Sequence, residues 1–350
     1  MDARRSFIDE LIAGERTFSD VCQRHGISRP TGYKWQARYR EGGLGGLSDR
    51  SRAPHRRPNQ VTTETADVLL ALRRAHPTWG PRKLITVAQR EQPTLSLPCH
   101  RTVTTLLKTH GLTQPRKARA RPASYYSPYT DYHGPNACMA VDFKGHFALL
   151  GQRKRCYPFT ATDVTSRQIL CCKAMSSERY ILVKRAFEVI FERFGLPDAI
   201  RSDNGAPFAS LAPGGLSTLS IWWIKLGITP VRIEPGRPTQ NSRHERMHRT
   251  LKADCAIGRS MREQQRYFDE FVHIFNTKRP HEALAGKVPA DVYCPSPKRY
   301  TKKLQEPDYS RCDFVERVGK RGALQFNGVS TIITPLLVGE PIGLTKTDFR

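Results

Sequence analysis

The order of segments between residues 138 and 254 constrains this chain more than any other feature. Residues 138–150 read as an apolar strand with Asp142 inside it. Residues 157–164 and 168–174 read as two further strands, joined by Thr165-Ser166-Arg167. An amphipathic helix over 178–194 follows, carrying Ile181, Leu182, Val183, Phe187, Ile190 and Phe191, and Gly195-Leu196-Pro197 stops it. A short strand at 199–200 leads into Arg201-Ser202-Asp203-Asn204-Gly205, followed by a helix near 219–226 and a strand over 229–233. After Pro235-Gly236 the pattern turns helical from Asn241. Three strands, then helix, strand, helix, strand, helix predict an α/β fold with a mixed sheet.

Three carboxylates stand out in that frame. Asp142 interrupts an apolar strand, where a charge is costly unless something compensates it. Asp203 ends a parallel-type strand, the usual place for α/β active sites. Glu245 is the only acid between Glu234 and Asp254 and sits among Arg237, Arg243, Arg246, Arg249 and Lys252. At helical spacing Glu245, His248, Arg249 and Lys252 share a face. That segment alone fits an intrahelical ion pair as well as a metal-binding carboxylate. Likewise Asp203 alone could be a turn former and Asp142 a buried ion-pair partner. Three acids on three elements of one sheet can instead converge on a pair of hard cations such as Mg²⁺, with Mn²⁺ able to substitute. His244 and His248 read as phosphate or packing contacts ahead of metal ligands, Trp222-Trp223 as core ahead of base stacking, and Asp163 as support for the strand.

The charge balance points to a partner. Lys+Arg 57 against Asp+Glu 32 gives a formal net charge of +25. Residues 1–130 carry a net +13 and residues 131–350 a net +12, so this is not an acidic enzyme with a basic tail. A polyanion, nucleic acid above all, is the expected ligand. No apolar run approaches the roughly 20 residues of a membrane span, and Met1-Asp2-Ala3-Arg4-Arg5 lacks a signal-peptide core. The nine cysteines include no C-x-x-C and are expected to be reduced thiols in a cytoplasmic setting.

The first 135 residues read as two helical units on basic tethers. In residues 1–45, helices around 7–12 and 18–25 precede the turn Gly26-Ile27-Ser28 and a third helix over 29–40. Helix, glycine turn, basic helix is the pattern of a helix-turn-helix, with Arg29, Tyr33, Lys34 and Arg38 as candidate DNA contacts. Residues 46–60 form a linker rich in Gly, Pro and Arg, in which Arg50, Arg52, Arg56 and Arg57 could track phosphates. Residues 61–114 repeat the theme with helices over 63–76, 82–89 and 100–110, and Arg101, Thr104 and Lys108 as candidate contacts. A second basic linker covers 115–135. Beyond the α/β region, which is bounded at 136–295, short strands at 314–318, 323–326, 329–333 and 342–344 suggest a small β-barrel within 305–350.

The ordered motifs resemble those of a known family. They are Val141-Asp142-Phe143, Asp163 in a Thr-Asp-Val-Thr-Ser-Arg strand end, Ser202-Asp203-Asn204-Gly205-Ala206-Pro207-Phe208, and Gly236-Arg237-Pro238 through Asn241 to His244-Glu245-Arg246. Asn276 to Leu284 adds a closing segment. Sixty residues separate Asp142 from Asp203, 41 separate Asp203 from Glu245, and Lys252 lies seven after the glutamate. The set resembles the DDE transposases of bacterial insertion sequences, whose core is ribonuclease-H-like and retroviral-integrase-like. The resemblance implies that Asp142 bridges two Mg²⁺ ions, that Asp203 and Glu245 hold one each, and that Asn204, Asn241, Arg243, Arg246, Arg249 and Lys252 support the site or grip double-stranded DNA. It implies release of a 3′-hydroxyl at a transposon end, then attack of that hydroxyl on target DNA, by an assembly at least dimeric on DNA in a bacterial cytoplasm. Rival readings are a DNA-binding regulator without strand transfer and a nuclease that only hydrolyses. One departure is Ser242, which stands where glycine usually follows the motif asparagine; it is harmless in a helix and costs about 1 kcal/mol at positive φ.

Overall fold

A computed structural model describes residues 2–50, 60–113, 132–210, 215–234, 241–304 and 308–346. The chain divides into two compact units, Met1–Gln60 and Val61–Arg350. No helix among the described residues is long and apolar enough to cross a membrane.

The first unit is built from α1 (Asp2–Ala13), α2 (Phe18–Arg24) and α3 (Arg29–Gly46, kinked at Gly42-Gly43). Thr17 caps α2 by accepting from the Asp20 amide. Phe7, Ile8, Val21, Cys22 and Leu47 form the core. A Cβ on Gly32 would lie 2.6 Å from Cys22 Sγ, so α3 crosses α2 closely only because that residue is glycine. Leu47 and Asp49, placed in the linker by composition, instead fold back onto α1. Leu47 is buried, and Arg4 donates to the Leu47 carbonyl and pairs with Asp49 at 2.8 Å.

The second unit begins with α4 (Thr63–Ala75), α5 (Pro81–Glu91) and α6 (His100–Thr109). They enclose Leu69, Leu70, Trp79, Leu84, Val87, Ala88, Val103 and Leu107. This bundle packs on the domain that follows it. Ile274 of the following domain packs on its core, Arg90 reaches the Gly286 carbonyl and Asp291, and Arg82 lies 3.7 Å from Glu282.

The sheet comes next: β1 (Met139–Phe143), β2 (Phe147–Ala148), β3 (Arg155–Asp163) and β4 (Ile169–Met175), then α7 (Tyr180–Phe194), β5 (Ala199–Ser202), α8 (Thr218–Lys225), β6 (Thr229–Arg232), α9 (Ser242–Asp254) and α10 (Met261–Thr277). β3 pairs antiparallel with β1, β2 and β4, and β1, β5 and β6 run parallel, which makes the predicted mixed sheet. The single strand expected over 138–150 is two, because Gly145 takes φ +79 and breaks the pleat between β1 and β2.

Alternation along the strands sorts the layers. Met139, Val141, Phe159 and Ala161 face α7 and α8, where Phe187, Phe191, Leu219 and Trp223 complete the main core. Ala140, Asp142, Thr160 and Thr162 point to the opposite face, which α9 and α10 cover through Met247, Leu251, Phe268, Phe271 and Phe275. Sequence reading missed α10 entirely. Its signals were present: Ser260 caps it by accepting from the Glu263 amide, and Phe268, Phe271 and Phe275 recur at helical spacing.

The C-terminal strands are β7 (Phe314–Arg317), β8 (Ala323–Phe326), β9 (Val329–Ile332) and β10 (Pro341–Leu344). The barrel suggested by their spacing is not what they form. β7 pairs only with β10 and β8 only with β9, giving two ribbons. Val329 and Ile332 remain 64% and 68% exposed, so these strands lack the inward apolar face that closing a barrel would bury.

Candidate active site

Strand register puts the first two carboxylates side by side. Met139 and Ala140 of β1 lie opposite Ile200 and Arg201 of β5. Two residues further along the same parallel pair are Asp142 and, just past the end of β5, Asp203. Neighbouring strands run about 4.8 Å apart, so the two acids emerge together from the C-terminal edge. Glu245 comes in from the first turn of α9, which packs on β1. Glu245 is exposed, Asp142 and Asp203 half-buried.

The electrostatics register this crowding. Burial first, then the Asp203 charge and further the Glu245 charge, push the Asp142 carboxyl up to about 7. Lys144, just past the end of β1, acts the other way. Sequence reading missed Lys144, although its same-face spacing from Asp142 could have found it. Asn241 places Nδ2 3.4 Å from Asp142 Oδ2, while its Oδ1 is buried with no hydrogen-bond partner among the described residues. A buried acceptor without a donor, beside oxygen ligands of the hard kind, is what a divalent cation with its water shell would satisfy. The residues present therefore fit a metal.

The histidines of α9 fall on its buried side rather than beside Glu245. His244 and His248 are 2% and 6% exposed and rest on the hydroxyls of Thr160 and Thr162. Burial holds His244 well below the usual imidazole range and His248 at about 3, so both rings are neutral. One ligand-type atom from each of Asp142, His244 and His248 lies within 4.8 Å of the others, the one such group of three among the described residues. Asp163 lies apart, its carboxylate taken by the Ser166 amide and hydroxyl and by the Asn136 amide. Trp222 and Trp223 are core. Ser242 is the first residue of α9 and is absent from the positive-φ positions, so it carries no strain there.

The expected DNA contacts separate into groups. Arg249 and Lys252 are exposed on the side of α9 that carries Glu245. Arg243 and Arg246 are not with the carboxylates: they line a separate cleft of about 430 Å³ with Lys83, Arg167, Arg279 and His281, and Arg243 also donates to the Val164 carbonyl. Asn204 ties the end of β5 to β6 by donating to the Ile233 carbonyl. On α6, Arg101 and Lys108 are exposed.

In the first unit, Arg29 turns back to donate to Ser19, and Tyr33, 57% exposed, stacks on Phe18 with centroids 4.1 Å apart. Lys34 and Arg38 lie over the Trp35 ring. Arg50 is 3.5 Å from Glu41. Arg52, Arg56 and Arg57 lie outside the described residues, as does the loop that holds Pro235-Gly236-Arg237-Pro238.

Comparison with known proteins adds an independent line. Residues 132–238 and 226–289 match models described as integrase core domain, residues 3–55 a helix-turn-helix domain, and residues 31–107 a homeodomain-like domain. The chain is 25% identical over 236 residues to the IS476 uncharacterized 39.2 kDa insertion-element protein of Xanthomonas euvesicatoria. That match spans 66% of this chain and 65% of the relative. It is 24% identical to the IS407 uncharacterized 31.7 kDa insertion-element protein of Burkholderia multivorans, over 67% of this chain and 82% of the relative. Among solved structures, the HTLV-2 integrase catalytic core domain in complex with magnesium aligns at TM-score 0.35 and 14% identity, over 47% of this chain and 99% of that one.

Proposed function

We propose that this chain, which has the make-up of an insertion-element transposase with an integrase core domain behind N-terminal helix-turn-helix and homeodomain-like units, cuts and joins DNA at the ends of its element. The observation that carries the proposal is the convergence of Asp142 and Asp203, at the ends of adjacent parallel strands, with Glu245 close enough for its charge to act on Asp142. A basic molecule with a net charge of +25 has no need of a half-buried, mutually repelling acid pair for stability alone.

In the proposed reaction, water attacks the phosphorus at the element's end, the P–O3′ bond breaks, and a free 3′-hydroxyl remains. That hydroxyl then attacks a target phosphorus and displaces a 3′-oxygen there, without a covalent enzyme–DNA intermediate. Asp142, Asp203 and Glu245 would hold two Mg²⁺ ions, or Mn²⁺ in their place, which supply activation of the attacking oxygen and stabilisation of the leaving one. The chain's own residues do the rest. The Asn241 amide fixes the orientation of the Asp142 carboxylate. Arg249 and Lys252, on the exposed side of α9, are placed to hold the phosphates that flank the reacting one. α3 and α6 would read double-stranded end sequences, with the working complex at least a dimer on DNA.

The test is an end-labelled duplex carrying the element's terminus, incubated with Mg²⁺. Site-specific nicking that leaves a 3′-hydroxyl is expected, with a loss of at least about 100-fold in Asp142→Asn, Asp203→Asn and Glu245→Gln. Undiminished nicking in all three variants would remove the proposal.

A further inference from the structure

Thr160 holds both buried histidines through Nε2. Its hydroxyl donates to the main-chain carbonyl of Asp142 at 3.0 Å. The same Oγ1 lies 2.7 Å from Nε2 of His244 and 2.7 Å from Nε2 of His248. A hydroxyl has one proton and two lone pairs. With its proton on the carbonyl, Thr160 can only accept from the rings, so both must donate through Nε2–H. A ring that donates through Nε2 can hold a lone pair on Nδ1.

The two lone pairs meet different fates. Nδ1 of His244 lies 2.9 Å from Thr162 Oγ1, whose hydroxyl can donate to it. Nδ1 of His248 stands 3.8 Å from Asp142 Oδ2. That is too long for a hydrogen bond, whichever of the two atoms would carry the proton. A ring nitrogen and a carboxylate oxygen, both ligand-type atoms, therefore face each other across a gap. Asn241 Oδ1, on the residue whose Nδ2 touches the same Asp142 oxygen, is an acceptor without a donor among the described residues. Ligand-type atoms within reach of one carboxylate oxygen suit a cation. Two atoms each about 2.1 Å from one ion lie roughly 3 to 4.2 Å apart, a range that includes the observed gap.

We propose that His248 binds, through Nδ1, the same divalent ion as Asp142, so that one ion position is a mixed nitrogen–oxygen site rather than an all-carboxylate one. The inference rests on Asp142 being a metal carboxylate, as proposed above. It has a consequence for ion choice: Mg²⁺ is a hard ion that takes oxygen ligands, so an imidazole nitrogen in the set disfavours Mg²⁺ relative to a first-row transition ion such as Mn²⁺.

The experiment is pulsed electron paramagnetic resonance of Mn²⁺ added to the full-length chain, with natural-abundance and ¹⁵N-histidine protein compared. A directly bound histidine nitrogen is expected, its signal changing isotope on labelling and vanishing in His248→Gln. In that variant the Mn²⁺ Kd is expected to rise about tenfold or more, and the Mg²⁺ Kd by less than about threefold. Mn²⁺ binding that depends on Asp142 yet shows no histidine nitrogen would overturn the inference and leave the carboxylate site standing. Mn²⁺ binding indifferent to Asp142→Asn would overturn both. If His248→Gln does not fold, the labelled wild-type spectra decide alone.

Discussion

Asp142 is the residue at which function and stability pull apart. Its carboxyl, raised to about 7, is held by burial and by Asp203 in a place where ionisation is disfavoured. A raised folded-state value means the folded protein binds the proton more tightly than the unfolded chain. The stabilisation from this group is therefore present below the unfolded value near 4 and is lost as pH rises through about 7. Asp142→Asn should accordingly stabilise the metal-free protein at pH 8, by on the order of 2 kcal/mol, with the gain disappearing toward pH 4. Thermal melts of both proteins in chelator across that range check it. Mg²⁺ should raise the midpoint of the wild type and leave the variant's unchanged. A variant less stable than wild type at pH 8 would mean that the carboxylate is compensated within the fold.

At the scale of elements, the amphipathic run of α7 and the apolar runs of β3 and β4 were readable because each carries its own periodicity. So was the order that makes the sheet mixed. What could not be read is where distant segments meet. The adjacency of Asp142 and Asp203 follows from parallel register between strands 60 residues apart in the chain. The turn of Arg243 and Arg246 toward a cleft shared with Lys83 depends on α5 docking near α9, which no local pattern encodes. Helical spacing grouped His248 with Glu245, yet packing against Thr160 takes it to the buried side. The β-barrel failed for a related reason, since strand spacing gives lengths but not partners.

α10 carries its own N-cap and aromatic spacing, and it is structurally central. Phe271 sits 6% exposed between α9 and β4. Phe271→Ala should cost about 3–5 kcal/mol, measured by denaturant unfolding of the second unit. Because Ile274 of the same helix packs on the α4–α6 bundle, that bundle should unfold in the same transition. Two separate transitions would show the bundle to be an independent domain.

For the whole molecule the governing quantity is charge. With a net +25 spread over both parts of the chain, affinity for duplex DNA should fall steeply with salt. Each phosphate that the protein no longer neutralises should reduce the slope of log K against log salt by about 0.9. Lys252→Ala is expected to weaken binding to all sequences alike and to lower the slope by about that amount, whereas Arg101→Ala on α6 should chiefly relax the preference for the element's own ends. Equilibrium titrations on matched and scrambled duplexes at several salt concentrations separate the two behaviours. Equal loss of discrimination from both substitutions would count against α6 as a reading helix.

The most direct measurement of the central claim is joining rather than cutting. A labelled end duplex with a free 3′-hydroxyl is incubated with supercoiled target, Mg²⁺ and either the wild-type chain or Glu245→Gln. The proposed chemistry predicts covalently joined products from the wild type and none from the variant. End-specific binding without joined or cut products, in Mn²⁺ as in Mg²⁺, would contradict it and leave a DNA-binding regulator. Cutting without joining would leave a nuclease.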